Sequence, residues 1–545
     1  MTPSQPTNTL QALPTDYYLD NFHKLVGHAL TWYSDLLNAE EHLWIEQFNT
    51  LEPYDQCMLV RLLSRKGVWF RSDKLNYDEI PNLDLRLKSL SGANFIALNP
   101  LITQHELAST LLTKPEILQV IPTVCTEPSF KKLPKSELLE KIPDSAFSGT
   151  LDFQYLKLLD DNIIDLFLTL FFANTHQDLS QFVLSDLGLN KFEPYSLSSA
   201  RRFFSTREQV EELQIISQVR NDYYISDRKQ SPTLFALLEQ LPRESSHPHT
   251  QRKLHHLFND LARDFERLED YETALTLFAS TTLPPSLERQ ARIYDKQDNL
   301  AAMQNTVTKM LTNAHDVAEF EVGEKLQQRL HRKSGLKVKR PEKPNINRID
   351  LQLDLRELRV EIAVKEHLEQ QGWHVFFAEN CVLNGLFGLI FWDAIFAPIE
   401  GAFVNAYQYK PKDLYHHEFT KIRTSILTES KAKLSTQGLN YLNEIYSAKY
   451  NTANPFVVWN IFTPELLEHC IKQFPPALLL DMFEVLLSDL KLYRNGMPDL
   501  IAFREGEFQW VEVKGPGDKL QDNQLRWIKE FNRLQVPFSV CFVNQ

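Results

Sequence analysis

The order of apolar and polar positions divides this chain before any chemistry is considered. Leu19, Phe22, Leu25, Val26 and Leu30 recur in steps of three and four, which predicts helix over residues 17–50. A second helical stretch, Tyr54 to Lys66, runs into Gly67-Val68-Trp69-Phe70-Arg71 and then Lys74-Leu75-Asn76-Tyr77. Helix, short β segment and scattered cations together predict a winged-helix-like module over residues 1–95, although a small helical domain with surface cations fits the same pattern. Residues 96–150 hold short helical pieces, Thr103 to Leu112 and Lys131 to Ile142. Their lysines either lie on a DNA backbone or are solvated.

Residues 151–250 read as helical, with an apolar helix at Ile163 to Phe172. Within them, Leu197 to Arg207 interleaves Arg201, Arg202 and Arg207 with Phe203, Phe204 and Ser205. Arginines among aromatics suit phosphate and base-stack contacts; an exposed helix with its aromatics turned inward reads equally well. Residues 251–340 form helical hairpins. Leu257 to Ala262 with Tyr271 to Phe278 has the small-and-large pattern of one tetratricopeptide-like unit, and a degenerate second unit spans Glu288 to Met310. The stretch closes on a basic linker, residues 329–343: Arg329, Arg332, Lys333, Lys337, Lys339, Arg340 and Lys343 face one acid, Glu342.

The last module, residues 341–545, changes period. Pro498 to Phe503 and Phe508 to Gly515 are β-rich segments joined by Arg504-Glu505-Gly506-Glu507, a predicted hairpin. An amphipathic helix from Asp522 to Phe531 and an apolar strand from Phe538 to Val543 follow. Strand, turn, strand, helix, strand is the core of the restriction-endonuclease-like fold. The expected architecture is therefore multidomain, mostly α-helical over the N-terminal two-thirds, with a C-terminal α/β nuclease-like domain.

Composition removes other classes. With 16 Gly and 28 Pro in 545 residues the chain is neither collagen-like nor a Gly/Pro-rich disordered polymer. The longest apolar run, Val382 to Phe396, contains Asn384 and Asp393 and fits a buried element rather than a membrane span. The first fifteen residues lack a basic segment followed by an apolar core, so no secretory signal is expected. Cys57, Cys125, Cys381, Cys470 and Cys541 are odd in number and widely spaced, which points to a reducing interior. A cytoplasmic, nucleoid-associated location is expected if the source is bacterial. The net charge of −13, from 58 basic and 71 acidic residues, argues at first against a nucleic-acid partner. Eight carboxylates against one lysine in residues 1–56 account for about half of it, which leaves room for local basic patches.

The chemistry lies in the hairpin. Side chains two apart on a strand share a face, so Glu512 and Lys514 point one way while Val511 and Val513 point into a core. Asp499 opens the partner strand. This is the Pro-Asp-(x)12-Glu-x-Lys arrangement of metal-dependent nucleases, with a surface salt bridge as the bland alternative. Asp499 and Glu512 are hard oxygen ligands for Mg²⁺ or Mn²⁺, the Val513 carbonyl is a further donor, and Lys514 can orient water and offset transition-state charge.

On three stretches the chain resembles the Fanconi-associated nuclease family, as a bacterial-type member with a C-terminal VRR-NUC (virus-type replication-repair nuclease) domain. They are Ala378-Glu379-Asn380 leading into Leu386 to Asp393; Gly496 to Leu500; and Val511 to Leu520 with Gln524 and Trp527. Val60 to Lys66 and Lys74 to Ile80 match the family's N-terminal region. The resemblance implies metal binding by Glu379, Asp499, Glu512 and the Val513 carbonyl, a catalytic Lys514, and Gln524 facing the site. It also implies a SAP-like module around Leu133 to Ile142; Asp393, sitting within the apolar run, reads as structural. By the same resemblance the partner is branched or 5′-flap double-stranded DNA, the activity 5′-flap endonuclease and 5′-to-3′ exonuclease, and the setting interstrand crosslink repair. Arg201, Arg202, Arg207, Arg494 and Lys519 are the expected DNA contacts. Eukaryotic relatives carry a ubiquitin-binding zinc finger; this chain has no cysteine and histidine set for one, so ubiquitin-dependent recruitment is not expected. A Holliday-junction nuclease and a non-catalytic branched-DNA scaffold are the alternatives.

Overall fold

Asn38 breaks the first predicted helix in two. One helix, Tyr17–Tyr33, ends in the 3-10 turn Ser34–Leu36; the Asn38 side chain then accepts the Glu41 amide while Glu41 reaches back to the Asn38 amide, a capping box that starts a second helix, Ala39–Thr50. Leu19, Phe22, Leu25 and Val26 are buried as the spacing requires, but Leu30 turns outward and is 37% exposed. The computed structural model describes residues 14–125, 128–160, 162–175, 191–338, 343–356 and 358–544. Two units comprise residues 1–189 with 206–210, and residues 190–205 with 211–545.

In the first unit the helices Tyr17–Tyr33, Pro53–Leu63 and Asn162–Phe172 bury aromatic and aliphatic residues such as Phe22, Met58 and Phe167. Beside them stands a three-stranded antiparallel sheet of β1 (Trp69–Arg71), β2 (Ile96–Leu98) and β3 (Tyr155–Leu158), in the order β1-β3-β2. The middle strand corrects the expectation that residues from 151 onward are helical. Leu156 and Leu158 are buried while Tyr155 and Lys157 are only half-buried, a period of two. Four residues of alternation beside an eleven-residue apolar helix are too few to register as a strand.

In the second unit the helices Pro248–Arg267, Tyr271–Ala279, Ser286–Lys296, Leu300–Thr312 and Val317–Lys333 follow one another, with Ala262, Ala274 and Ala291 fully buried. The predicted basic linker begins inside the last of these helices. There Arg329 and Lys333 pair with Asp295 at 2.6 and 2.8 Å, so part of the charge run closes a helix pair; Lys339 to Glu342 lie outside the described residues.

The last sheet is mixed: β4 (Arg348–Gln352), β8 (Phe538–Asn544), β7 (Glu507–Lys514), β6 (Leu500–Arg504) and β5 (His374–Phe377), in that order. β4, β8 and β7 run parallel; β6 is antiparallel to β7 and to β5. Ile501, Phe503, Phe508 and Trp510 pack on one face with Trp527 and Phe531 of the helix Asp522–Leu534. Leu500, Ala502, Val511 and Val513 pack on the other with Val364 and Leu368 of the helix Val360–Gln370. The predicted hairpin, helix and final strand are all present, and the N-terminal two-thirds are mainly helical.

Candidate active site

Strand register builds the site. Leu500 pairs with Val511, so one step further the chain sets Asp499 opposite Glu512, on the face shared with Ile501 and Trp510. Gly506, with φ at +75°, makes the tight turn that fixes this register. Phe377 pairs with Leu500 on the other side, and beyond it the amides of Ala378 and Glu379 both donate to the Asp499 carbonyl, at 2.8 and 3.2 Å. Glu379 is thereby delivered to the acidic end of the hairpin. The Val513 amide donates to Asp499 Oδ2 at 2.8 Å, which fixes that carboxylate.

Glu512 is 2% exposed and Lys514 7%. Lys514 Nζ stands 2.6 Å from Glu512 Oε1, and Gln524 Nε2 donates to the same oxygen at 2.7 Å. Gln524 is carried in by the helix Asp522–Leu534, whose Arg526 makes a two-point ion pair with Glu321. Gly496, at φ +94°, lets that helix approach: a Cβ there would lie 2.6 Å from the Asn523 carbonyl.

The acids outnumber the lysine, and their titration shows it. Burial, then the Asp499 charge, pushes Glu512 up to about 8. Burial also raises Asp499, and burial with the charges of Asp499 and Glu361 raises Glu379. Buried carboxyl groups gathered at one end of a hairpin fit a hard divalent cation, whose binding would displace the proton that burial favours. Among the described residues no three such side chains are already closed around one point, because Glu512 is turned to Lys514 and Gln524. Glu361, near the start of the helix Val360–Gln370, is the acid that sequence reasoning missed. Its charge bears on both Asp499 and Glu379. One acid in a helix 138 positions before Asp499 carries no local signal.

The expected DNA contacts fare differently. Arg207 pairs with Glu41 at 2.9 Å in the first unit, and Arg201 donates to Ser198 Oγ and the Pro398 carbonyl. Arg202 donates to the Ser205 carbonyl. Phe203 and Phe204 are buried, 3% and 0% exposed, and pack on His247, so neither can stack on a base. The phenylalanines of that stretch therefore turn inward, but it forms only the 3-10 turn Ser199–Arg201 and no helix before Arg207. Lys519 is exposed. Asp393 faces solvent, although it sits inside an otherwise buried run.

Basic side chains gather elsewhere in the second unit. A cleft of about 170 Å³ is lined by Arg252, His256, His315, His416, His417 and Lys491. Its two acids are engaged at helix starts: Asp316 accepts the Glu319 amide and Asp489 the Leu492 amide. Burial, then neighbouring cations, pushes His256 and His416 down to about 4. Behind them Lys253 is pushed down to about 8 and Lys412 to about 7, again by burial first and then by other cations. Arg494 does not line this cleft; its guanidinium lies 4.9 Å from the ring centroid of Tyr415, which does.

A helix-covered mixed sheet whose hairpin gathers carboxylates and a lysine defines a nuclease of the restriction-endonuclease-like class, a hydrolase acting on DNA. The family profile described as "VRR-NUC domain" matches residues 436–545, and that described as "FAN1, HTH domain" matches residues 16–97. The chain is 32% identical to a Fanconi-associated nuclease 1 homolog of Pseudomonas aeruginosa, over 99% of this chain and 97% of that one. It therefore belongs to the Fanconi-associated nuclease family, whose VRR-NUC domain implies dependence on a divalent metal. A homolog of Arabidopsis thaliana is 25% identical over 94% of this chain and 65% of its own. A solved structure of paFAN1 bound to 2-nt 5′-flap DNA with a gap superposes with a TM-score of 0.85 at 31% identity, covering 98% of this chain and 99% of that chain. A second, with a 1-nt 5′ flap, gives 0.83 at 31% identity. Among the described residues no helix is long and apolar enough to cross a membrane.

Proposed function

We propose that this protein hydrolyses phosphodiesters of branched double-stranded DNA near a 5′ flap, proceeds 5′ to 3′ as an exonuclease, and acts in interstrand crosslink repair. The observation that carries the reading is the opposition of Asp499 and Glu512 at the hairpin end, with Glu379 drawn in beside them and Lys514 alongside. Glu379, Asp499, Glu512 and the Val513 carbonyl would hold Mg²⁺ or Mn²⁺, since all are hard oxygen donors. When bound, the ion polarises the scissile phosphate and acidifies water. The Val513 amide keeps Asp499 aimed, and Gln524 steadies Glu512. Lys514 would orient the attacking water and offset charge on the phosphate.

The cationic cleft supports a substrate with a phosphate end. Burial, then neighbouring cations, holds His256, His315 and His416 below the ordinary imidazole range and the nearby Lys253 and Lys412 below the ordinary lysine range, and a dianionic phosphate would favour their charged forms. Lys491 lies eight residues before Asp499, on the segment that leads into β6.

Labelled 5′-flap, 3′-flap, four-way and blunt duplexes, incubated with Mg²⁺, Mn²⁺ or EDTA, test the reading. Metal-dependent cleavage biased to the 5′ flap is expected. Preference for the four-way junction would make this a Holliday-junction nuclease, and no metal-dependent cleavage of any substrate would make it a scaffold. Cleavage that survives Asp499→Ala or Lys514→Ala would sink the site.

A further inference from the structure

Glu379 reaches the site from 120 residues before Asp499, and side-chain amides hold it there once strand pairing has ended at Phe377. Asn380 takes the left-handed conformation, φ 52°, and its Oδ1 accepts the Met497 amide at 3.2 Å. One turn later, in the helix Val382–Ile390, Asn384 donates from Nδ2 to the Asn380 carbonyl at 2.6 Å and the Arg494 carbonyl at 2.8 Å. Both neighbours are carbonyl oxygens, so only the amino end of this amide satisfies them. Asn384 is 7% exposed, and its Oδ1 is buried without a partner. An amide that leaves its acceptor buried and unpaired adds little net stability. What it adds is geometry: it ties the turn carrying Glu379 to the segment 494–499 that carries Asp499.

We propose that Asn384 is a positioning residue for the metal site. By bridging the Asn380 and Arg494 carbonyls it fixes Glu379 relative to Asp499 and so sets the affinity of the acidic end for a divalent cation. The inference rests on the reading of Glu379 as a metal ligand.

Mn²⁺ binding to the full chain, measured by calorimetry without DNA, tests it. Asn384→Leu keeps the branching of the side chain at Cγ and removes both N–H donors. It is expected to weaken Mn²⁺ binding about tenfold, to leave 5′-flap affinity in EDTA unchanged, and to regain kcat at saturating Mn²⁺. Glu379→Gln is expected to weaken Mn²⁺ binding by itself, and Asn384→Leu should add nothing in that background. Unchanged Mn²⁺ affinity in Asn384→Leu, or an equal loss with and without Glu379, would overturn the inference. Wild-type Mn²⁺ affinity in Glu379→Gln would overturn the ligand reading instead. Should Asn384→Leu not fold, Asn380→Gly decides. It keeps the backbone conformation and loses the Met497 contact together with the 3.4 Å contact of its own Nδ2 with Glu379 Oε1, so a loss of about fivefold supports the tie between this turn and the Asp499 segment, and no loss overturns it.

Discussion

The hairpin end and the cationic cleft are opposites built on one principle. At the first, Glu379, Asp499 and Glu512 face a single lysine, and burial with mutual repulsion pushes the acids up, Glu512 to about 8. At the second, Arg252, Lys253, Lys412 and Lys491 crowd together, and burial with mutual repulsion pushes lysines and histidines down. The proposed function completes the first with a divalent cation and the second with a phosphate.

The comparison breaks most visibly by removing a ligand. Asp499→Ala should lower cleavage by about 10³-fold in a single-turnover assay on 5′-flap DNA, while binding in EDTA stays intact. A smaller effect should follow from Arg252→Ala combined with Lys491→Ala. Loss of charged hydrogen bonds of about 1.5–3 kcal/mol each should weaken a 5′-phosphorylated end at least tenfold more than a 5′-hydroxyl end in a binding titration.

Proton linkage sharpens the comparison, because the two regions must respond to pH with opposite signs. Cation binding at the hairpin displaces the proton of Glu512, so Mn²⁺ affinity should rise as pH rises through about 8. Phosphate binding at the cleft favours charged lysines, so affinity should fall as pH rises through about 7 and about 8. Calorimetry in buffers of different ionisation heat should find proton release in the first case and uptake in the second. The metal-free fold follows the first sign. Glu512 titrates above its ordinary value, so its stabilising contribution is complete at acid pH and lost as pH climbs through about 8. Melting in EDTA should drop by a few degrees over that range, and Glu512→Gln should flatten the drop.

The smallest effect is expected where the arginine is already engaged by the protein. Arg201→Ala and Arg207→Ala should change 5′-flap affinity less than about threefold, in contrast to the cleft. Arg207→Ala should lower stability by at most about 1 kcal/mol in a denaturant titration, the scale of a partly exposed ion pair.

Legibility followed distance along the chain. Asp499, Glu512 and Lys514 lie within sixteen residues of one another, and a period of two with a Gly-containing turn suffices to set them on one face. Gln524 lies on the next helix and was reachable by resemblance, as was Glu379. The stretch Leu197 to Arg207 looked as suggestive as the hairpin, yet its arginines have partners and its phenylalanines are buried. Composition names the residue types but not the direction they face. The cleft was invisible because Arg252, His315, His416 and Lys491 come from four separate segments.

By itself, the sequence determined the hairpin and its register, the helix and strand that follow it, and the family. Each of these rests on local periodicity or on motifs a few residues long. Only the tertiary structure decided which charges remain unbalanced. It set Glu379 and Glu361 beside Asp499, paired Arg207 with Glu41 and Arg329 with Asp295, and left the cations of the cleft facing one another. The reason is physical: whether a charge is available depends on burial and on partners brought from distant segments, and neither is written in the neighbourhood of the residue itself.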